Sequence, residues 1–187
     1  SISESTGDVR AGAKSRYHPV SLDLVIDEIR KSDKRFVLVG VPCFVKAVRL
    51  LALHDPDIQE RLKFCVGLVC GHLKTRRFAE LLAWQMGVAP PDLASFDFRK
   101  KLVGADANRY GVAATGFNVN KGAELEAPVR ELFGYDWGMG FFKPKACDYC
   151  DDVVAELADV TVGDAWLPQY LQDSGGTNVA IARNPVL

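Results

Sequence analysis

No stretch of the sequence reaches the roughly 18 consecutive apolar residues that a membrane-crossing helix needs. Neither sign of charge dominates. With 23 Lys and Arg against 24 Asp and Glu, the formal net charge is −1, and the basic surplus that marks a nucleic-acid partner is missing. The first residues, Ser1-Ile2-Ser3-Glu4-Ser5, have neither the charged nor the apolar region of a signal peptide. They also lack an initiator Met, which points to a fragment or a processed chain. No GxGxxG or P-loop occurs, and no Ser/His/Asp or paired-carboxylate pattern stands out. The histidines, His18, His54 and His72, share no ligand spacing. The cysteine count is odd, five in all, which argues against a disulfide scaffold. Metal ligation or thiol chemistry in a reducing compartment, the cytoplasm, is the better expectation.

What is present is enough apolar matter for a core, 48% of 187 residues. That length suits one domain over 1–187, or one with a small satellite. Ser21 is placed to cap a helix over 22–31, with Leu22, Val25, Ile26 and Ile29 at helical spacing. Arg35 to Gly40 reads as a buried strand, followed by a helix at about 44–53 that His54-Asp55-Pro56 stops. After a further helical turn or two at 57–63, Phe64 to Cys70 is a second unbroken apolar run, and 74–86 is an amphipathic helix. This strand–helix alternation predicts an α/β fold, a largely parallel or mixed sheet flanked by helices. The stretch 103–150 is rich in Gly and aromatics and has little periodicity. It is too long for an ordinary loop, and predicts short strands or a segment that a ligand orders. Ala158 to Gly163 and Asn178 to Arg183 are two more strand candidates.

The cysteines form a pattern. Cys43 and Cys70 each end an apolar run of strand type. In a parallel sheet the C-terminal strand ends share one edge, where ligands bind, so these distant residues can meet there. Cys147-Asp148-Tyr149-Cys150 adds a CxxC, a spacing that lets two thiolates hold one centre. Four thiolates suit a tetrahedral zinc or an iron–sulfur cluster. Structural zinc usually takes two short ligand pairs, and here only one pair has that form. Two ligands from a preformed sheet edge suit a redox cluster set against another cofactor better than a zinc staple. Two alternatives stay open: a zinc-stabilised binding or scaffold domain on the same thiols, and a thiol–disulfide enzyme using Cys147 and Cys150 alone. Cys65 lies inside its apolar run and reads as a core residue.

Several pieces in order resemble the C-terminal domain of the coenzyme F-420 hydrogenase/dehydrogenase beta-subunit family. They are Ser15-Arg16-Tyr17, Gly40-Val41-Pro42-Cys43, Gly67-Leu68-Val69-Cys70-Gly71, Phe96-Asp97-Phe98-Arg99, Cys147-Asp148-Tyr149-Cys150-Asp151 and Ala158-Asp159-Val160-Thr161-Val162-Gly163-Asp164-Ala165-Trp166. The resemblance implies an iron–sulfur flavoprotein that passes electrons between a 4Fe–4S cluster, FAD and a second redox partner, either coenzyme F-420 or another acceptor. It implies Cys43, Cys70, Cys147 and Cys150 as cluster ligands. It also implies that Ser15, Arg16, Tyr17, Gly40, Pro42, Asp164 and Trp166 lie at the cofactor, and that an electron-carrier protein or other subunits of an oxidoreductase complex are partners. Val41 and Phe44 depart from the Thr and Gln that commonly flank the first cysteine, which leaves the ligand's identity open. The family's N-terminal part, often with ferredoxin-like motifs, has no counterpart in these residues.

Read on their own, Lys14 to Tyr17 could hold a flavin phosphate or equally be a solvated terminus. Gly163-Asp164-Ala165-Trp166 could line a cofactor pocket or be a turn with a core Trp. Arg99-Lys100-Lys101 could dock an acidic coenzyme tail or partner but reads better as a solvated charge run, and His72 could tune a nearby centre or move protons but reads better as a surface or capping residue.

Overall fold

A computed structural model describes residues 2–17, 19–119 and 122–186; His18 falls outside them. Helix α1 (Thr6–Ala11) is capped by Ser5, which exchanges hydrogen bonds with Asp8, and it buries none of its residues. Helix α2 (Asp23–Lys31) follows. Its cap is not the expected one: Leu22 occupies the cap position without a side-chain bond, and the Ser21 hydroxyl donates instead to Asp23. Strand β1 (Phe36–Gly40) leads into α3 (Pro42–Ala52), whose first turn begins with Pro42. Proline is preorganised for that position because its missing N–H would have no partner there. The helix therefore starts two residues earlier than the sequence spacing suggests, and it carries Cys43 within its first turn.

Asp55 caps α4 (Pro56–Arg61) by accepting from the Ile58 N–H at 3.2 Å. Strand β2 (Leu62–Leu68) ends before Cys70, which lies beyond the strand rather than inside it. Helix α5 (Arg77–Gln85) is shorter than its amphipathic pattern, leaving Lys74 and Thr75 in irregular chain ahead of it. The remaining strands are β3 (Leu93–Lys100), β4 (Gly111–Gly116), β5 (Leu125–Pro128), β6 (Val160–Asp164) and β7 (Asn178–Ala182).

Two sheets result. The first has the order β1-β2-β6-β7, with β1, β2 and β6 parallel and β7 antiparallel at the edge. This is the mixed α/β sheet that the strand–helix alternation predicted. The second is an antiparallel β3-β4-β5 meander. Two of its strands come from the stretch expected to hold short strands. Around them the chain runs in short 3-10 turns, including Lys145–Tyr149 at the CxxC.

The helices α2, α3 and α4 cover one face of the first sheet. Ile29, Val45, Val48 and Ile58 pack on Leu38, Leu62 and Cys65 there. A second core joins α5 to the meander through Phe78, Leu82, Phe98 and Val112. Gly67 is a close-approach position. A Cβ there would collide with the Ala155 side chain and lie 2.9 Å from the Thr161 hydroxyl. Only glycine lets the segment following the CxxC settle onto β2. Among the described residues no helix is long and apolar enough to cross a membrane.

Candidate functional site: a four-thiol edge and an arginine-centred aromatic cluster

The register of the parallel pair decides where the first two thiols go. Gly40 of β1 pairs with Gly67 of β2. Cys43 and Cys70 follow these partners at equal distance along the chain, so both emerge at the C-terminal edge of the sheet. Cys43 is exposed on the first turn of α3 and Cys70 is half-buried. The Cys70 N–H donates to the Val153 carbonyl at 3.0 Å, which ties this edge to the chain just after the CxxC. The Leu73 N–H points at Cys147 Sγ, 3.5 Å away, and Cys150 Sγ lies 3.5 Å from the Asp152 carbonyl. The buried Asp152 carboxylate then accepts from the Val154 and Glu156 N–H groups and fixes the turn that follows.

The thiols feel one another. Burial, aided by negative charge on Cys43, Cys147 and Cys150, pushes the Cys70 thiol up to about 11. Burial likewise raises Cys43, helped by Cys150 and Cys147, while its own and Phe44's N–H groups at the helix start act the other way. Four thiols within mutual electrostatic reach repel as thiolates, and only a cationic centre would hold them all ionised. Cys65 is apart from this group. It is fully buried in the helix-side core, and burial raises its thiol while Arg49 lowers it and Asp159 raises it.

Among the described residues no three His, Cys, Asp or Glu side chains are set closely enough for a single metal ion. A tetrahedral zinc, with Zn–S near 2.3 Å, draws its sulfurs to about 3.8 Å from one another. A four-iron cluster places each thiolate on a different iron and spreads them wider. An all-thiol donor set is the chemistry that such a cluster takes.

A second constellation stands at the end of β6. The Arg99 guanidinium donates to Asp164 Oδ2 at 2.5 Å and to the Tyr17 hydroxyl at 3.2 Å. It lies over the rings of Tyr110 and Trp166, 4.6 and 5.0 Å from their centres. Burial pulls Arg99 down, but Tyr17 and Asp164 outweigh it and hold the guanidinium above its ordinary value. Three of the residues expected at the cofactor, Tyr17, Asp164 and Trp166, are thus gathered on one cation. The others are not. Ser15 is half-buried and Arg16 exposed, while Gly40 and Pro42 are buried in the β1–α3 junction.

Arg99 itself is the correction to the sequence reading, which took 99–101 as a solvated run. On β3, Phe98 turns into the core, and its neighbour is drawn under two aromatic rings. The aromatic richness of 103–150, where Tyr110 lies, was the available signal. Lys74 is a second residue that sequence reasoning passed over. It is fully buried, donates to the Phe141 carbonyl at 2.8 Å and sits 4.6 Å from the centre of the Trp137 ring. Burial lowers its pKa, and Lys143 lowers it further. His72, two residues beyond Cys70, stacks on Trp137 with its Nε2 buried and unpartnered.

The fold and these sites define an α/β domain with a thiol-lined sheet edge. Residues 33–187 match the family model for the C terminus of the coenzyme F420 hydrogenase/dehydrogenase beta subunit, and the chain belongs to that family, whose members are subunits of redox enzymes. Among solved structures it is similar to a chain of the F420-reducing [NiFe] hydrogenase complex from Methanosarcina barkeri, studied by xenon derivatization. Identity is 18% and the TM-score 0.57, with 91% of this chain and 52% of that chain covered. The likeness at this identity is one of fold, and the chain spans about half the length of that relative. No curated protein matches the sequence.

Proposed function

We propose that this chain is the cofactor-bearing domain of an iron–sulfur flavoprotein oxidoreductase, a single domain of a longer protein. Cys43, Cys70, Cys147 and Cys150 hold one 4Fe–4S cluster, and FAD lies beside it. The observation that carries this reading is the Gly40–Gly67 register, which sets two thiols on one edge within electrostatic reach of both CxxC thiols. When bound, the cluster supplies one-electron transfer and the flavin converts between one- and two-electron steps. The protein's residues do the rest. The sheet edge fixes Cys43 and Cys70, Asp152 sets the turn behind Cys150, and the Leu73 N–H polarises Cys147. Tyr17, Asp164 and Trp166, held by Arg99, form a rigid aromatic and polar wall suited to a flavin ring or its ribityl chain.

The final acceptor is coenzyme F-420 or another redox partner, and the partners are an electron-carrier protein or other subunits of an oxidoreductase complex in the cytoplasm. Anaerobic purification of the full-length protein tests this. A brown protein with iron and sulfide in equal amounts and bound flavin is expected. A colourless protein holding stoichiometric zinc, or redox-active Cys147 and Cys150 without metal, would sink the reading.

A further inference from the structure

Among the described residues Lys74 is the only charged side chain with no exposure at all. Its Nζ lies 4.9 Å from the centre of the Phe78 ring and 4.6 Å from that of Trp137, and it donates to the Phe141 carbonyl at 2.8 Å. The faces of aromatic rings are negative and favour an ammonium over a neutral amine. Asp136 favours the cation as well, while burial and Lys143 oppose it. Two other cations near the CxxC are paired, Lys143 with Asp148 and Lys46 with Asp151. Among the described residues no carboxylate pairs with Lys74. A buried charge without a counter-ion is costly, and a methionine of similar volume would fill the space without that cost.

The place of Lys74 in the chain points to what it offsets. Residues 73, 74 and 75 each donate one hydrogen bond into the segment that leads to the CxxC. The Leu73 N–H points at Cys147 Sγ at 3.5 Å, Lys74 Nζ donates to the Phe141 carbonyl, and the Thr75 N–H donates to the Phe142 carbonyl at 2.8 Å. Phe142 adopts φ 57°, a left-handed conformation that a residue other than glycine holds only when its surroundings impose it. His72, two residues beyond Cys70, stacks on the same Trp137 ring that Lys74 faces. The ammonium thus sits where the chain leaving Cys70 is stitched to the chain entering the CxxC. Holding that turn needs a hydrogen-bond donor and no charge.

We propose that Lys74 is the built-in countercharge of the thiol edge: its buried ammonium offsets the negative charge of the centre that Cys43, Cys70, Cys147 and Cys150 hold, and so favours the reduced form of that centre. The inference rests on the cluster reading above. Four thiolates around an oxidised four-iron core carry a net charge of about −2, and one-electron reduction takes it to about −3. A fixed positive charge nearby favours the more negative state, and burial protects that attraction from screening by salt.

The test uses the full-length protein, purified anaerobically, as parent and as Lys74→Gln, Lys74→Met and Lys74→Arg. The first variant keeps a donor for the Phe141 carbonyl without the charge, the second keeps only the volume, and the third keeps the charge. Iron and sulfide are measured first. Each protein is then poised with dithionite and redox dyes at the parent's midpoint potential, and the reduced fraction is read by electron paramagnetic resonance. The ratio of reduced to oxidised centre should fall several-fold in Lys74→Gln and Lys74→Met, at low and high salt alike, and stay near the parent's in Lys74→Arg. An unchanged ratio in Lys74→Gln, as large a fall in Lys74→Arg, or a difference that salt abolishes would overturn the proposal. If a variant sheds the cluster, the loss should follow charge, with Lys74→Gln and Lys74→Met failing and Lys74→Arg holding. Loss in Lys74→Met alone would reduce Lys74 to a donor for the turn, and loss in all three to a packing residue; either outcome overturns the proposal. A parent protein without iron and sulfide would instead sink the redox reading, and this inference with it.

Discussion

Cys65 and Cys70 show how much a residue's neighbours decide. Both belong to one apolar run, yet Cys65 is sealed behind β2 and Cys70 stands past its end with three other thiols around it. Changing Cys65 to Ala should leave iron content untouched and cost about 1 kcal/mol or somewhat more, as modest core truncations do. Changing Cys147 or Cys150 to Ser should lower iron and sulfide together, and a full cluster in either variant would defeat their assignment. The metal-free chain has its own signature. The folded Cys70 thiol titrates above its ordinary value of 9.0, at about 11. A raised pKa contributes stability below the unfolded value and loses it as pH climbs through the folded one. Denaturant midpoints of the metal-free chain should therefore fall between about pH 9 and about pH 11. In Cys70→Ser that fall should shrink, and an unchanged pH profile would count against the shift.

Arg99 belongs at the same scale. Its planar guanidinium bonds Tyr17 and Asp164 while lying over two rings, a set of contacts that a lysine's point charge cannot reproduce. Arg99→Lys should cost about 1–3 kcal/mol, the penalty for leaving partly buried partners unsatisfied, and should weaken flavin retention. Chemical denaturation and flavin content read the two effects separately.

At the scale of elements, the order of strands and helices was legible because long aliphatic runs and helical spacing are local signals. The matching positions of Cys43 and Cys70 at one sheet edge were legible for the same reason, since each follows an apolar run. Element ends were less so. Pro42 drew the start of α3 back to include Cys43, and Leu22 took the cap from Ser21. Burial of Lys74 and Arg99 was not legible, because it depends on Trp137, Tyr110 and Trp166 arriving from distant parts of the chain. Gly67 ties elements together by what it lacks. Its bare Cα admits Ala155, which adopts φ 50°, and the Thr161 hydroxyl, which donates to the Val154 carbonyl at 2.7 Å. Gly67→Val should lift this segment off β2 and cost about 1–3 kcal/mol through overpacking. Faster amide exchange at Val154 to Ala158 than in the parent would register the shift, and unchanged exchange would show that the contact can relax.

Across the whole molecule, stability is unevenly shared. β1 and β2 are locked beneath a helix layer, and α5 is locked on the meander. The CxxC turn, residues 145–150, lies outside both cores, although Phe142 before it and Ala155 after it pack on them. It is held by the Thr75 N–H to the Phe142 carbonyl at 2.8 Å, by the Cys70 N–H to Val153, by a Lys143–Asp148 ion pair and by a long Lys46–Asp151 contact at 3.7 Å. Exposed ion pairs of this kind contribute little. A centre joining Cys43 and Cys70 to Cys147 and Cys150 would tie this stretch to the rigid sheet edge, and binding to the folded state alone stabilises it by mass action. Removing the metal anaerobically should therefore raise amide exchange at 145–155 first, while Leu38, Val45 and Cys65 keep their protection. The pattern separates a local clasp from a scaffold the whole fold depends on. If exchange rose equally through β1 and β2, the centre would be a condition of folding for the entire chain. If 145–155 did not change, those thiols would not share it.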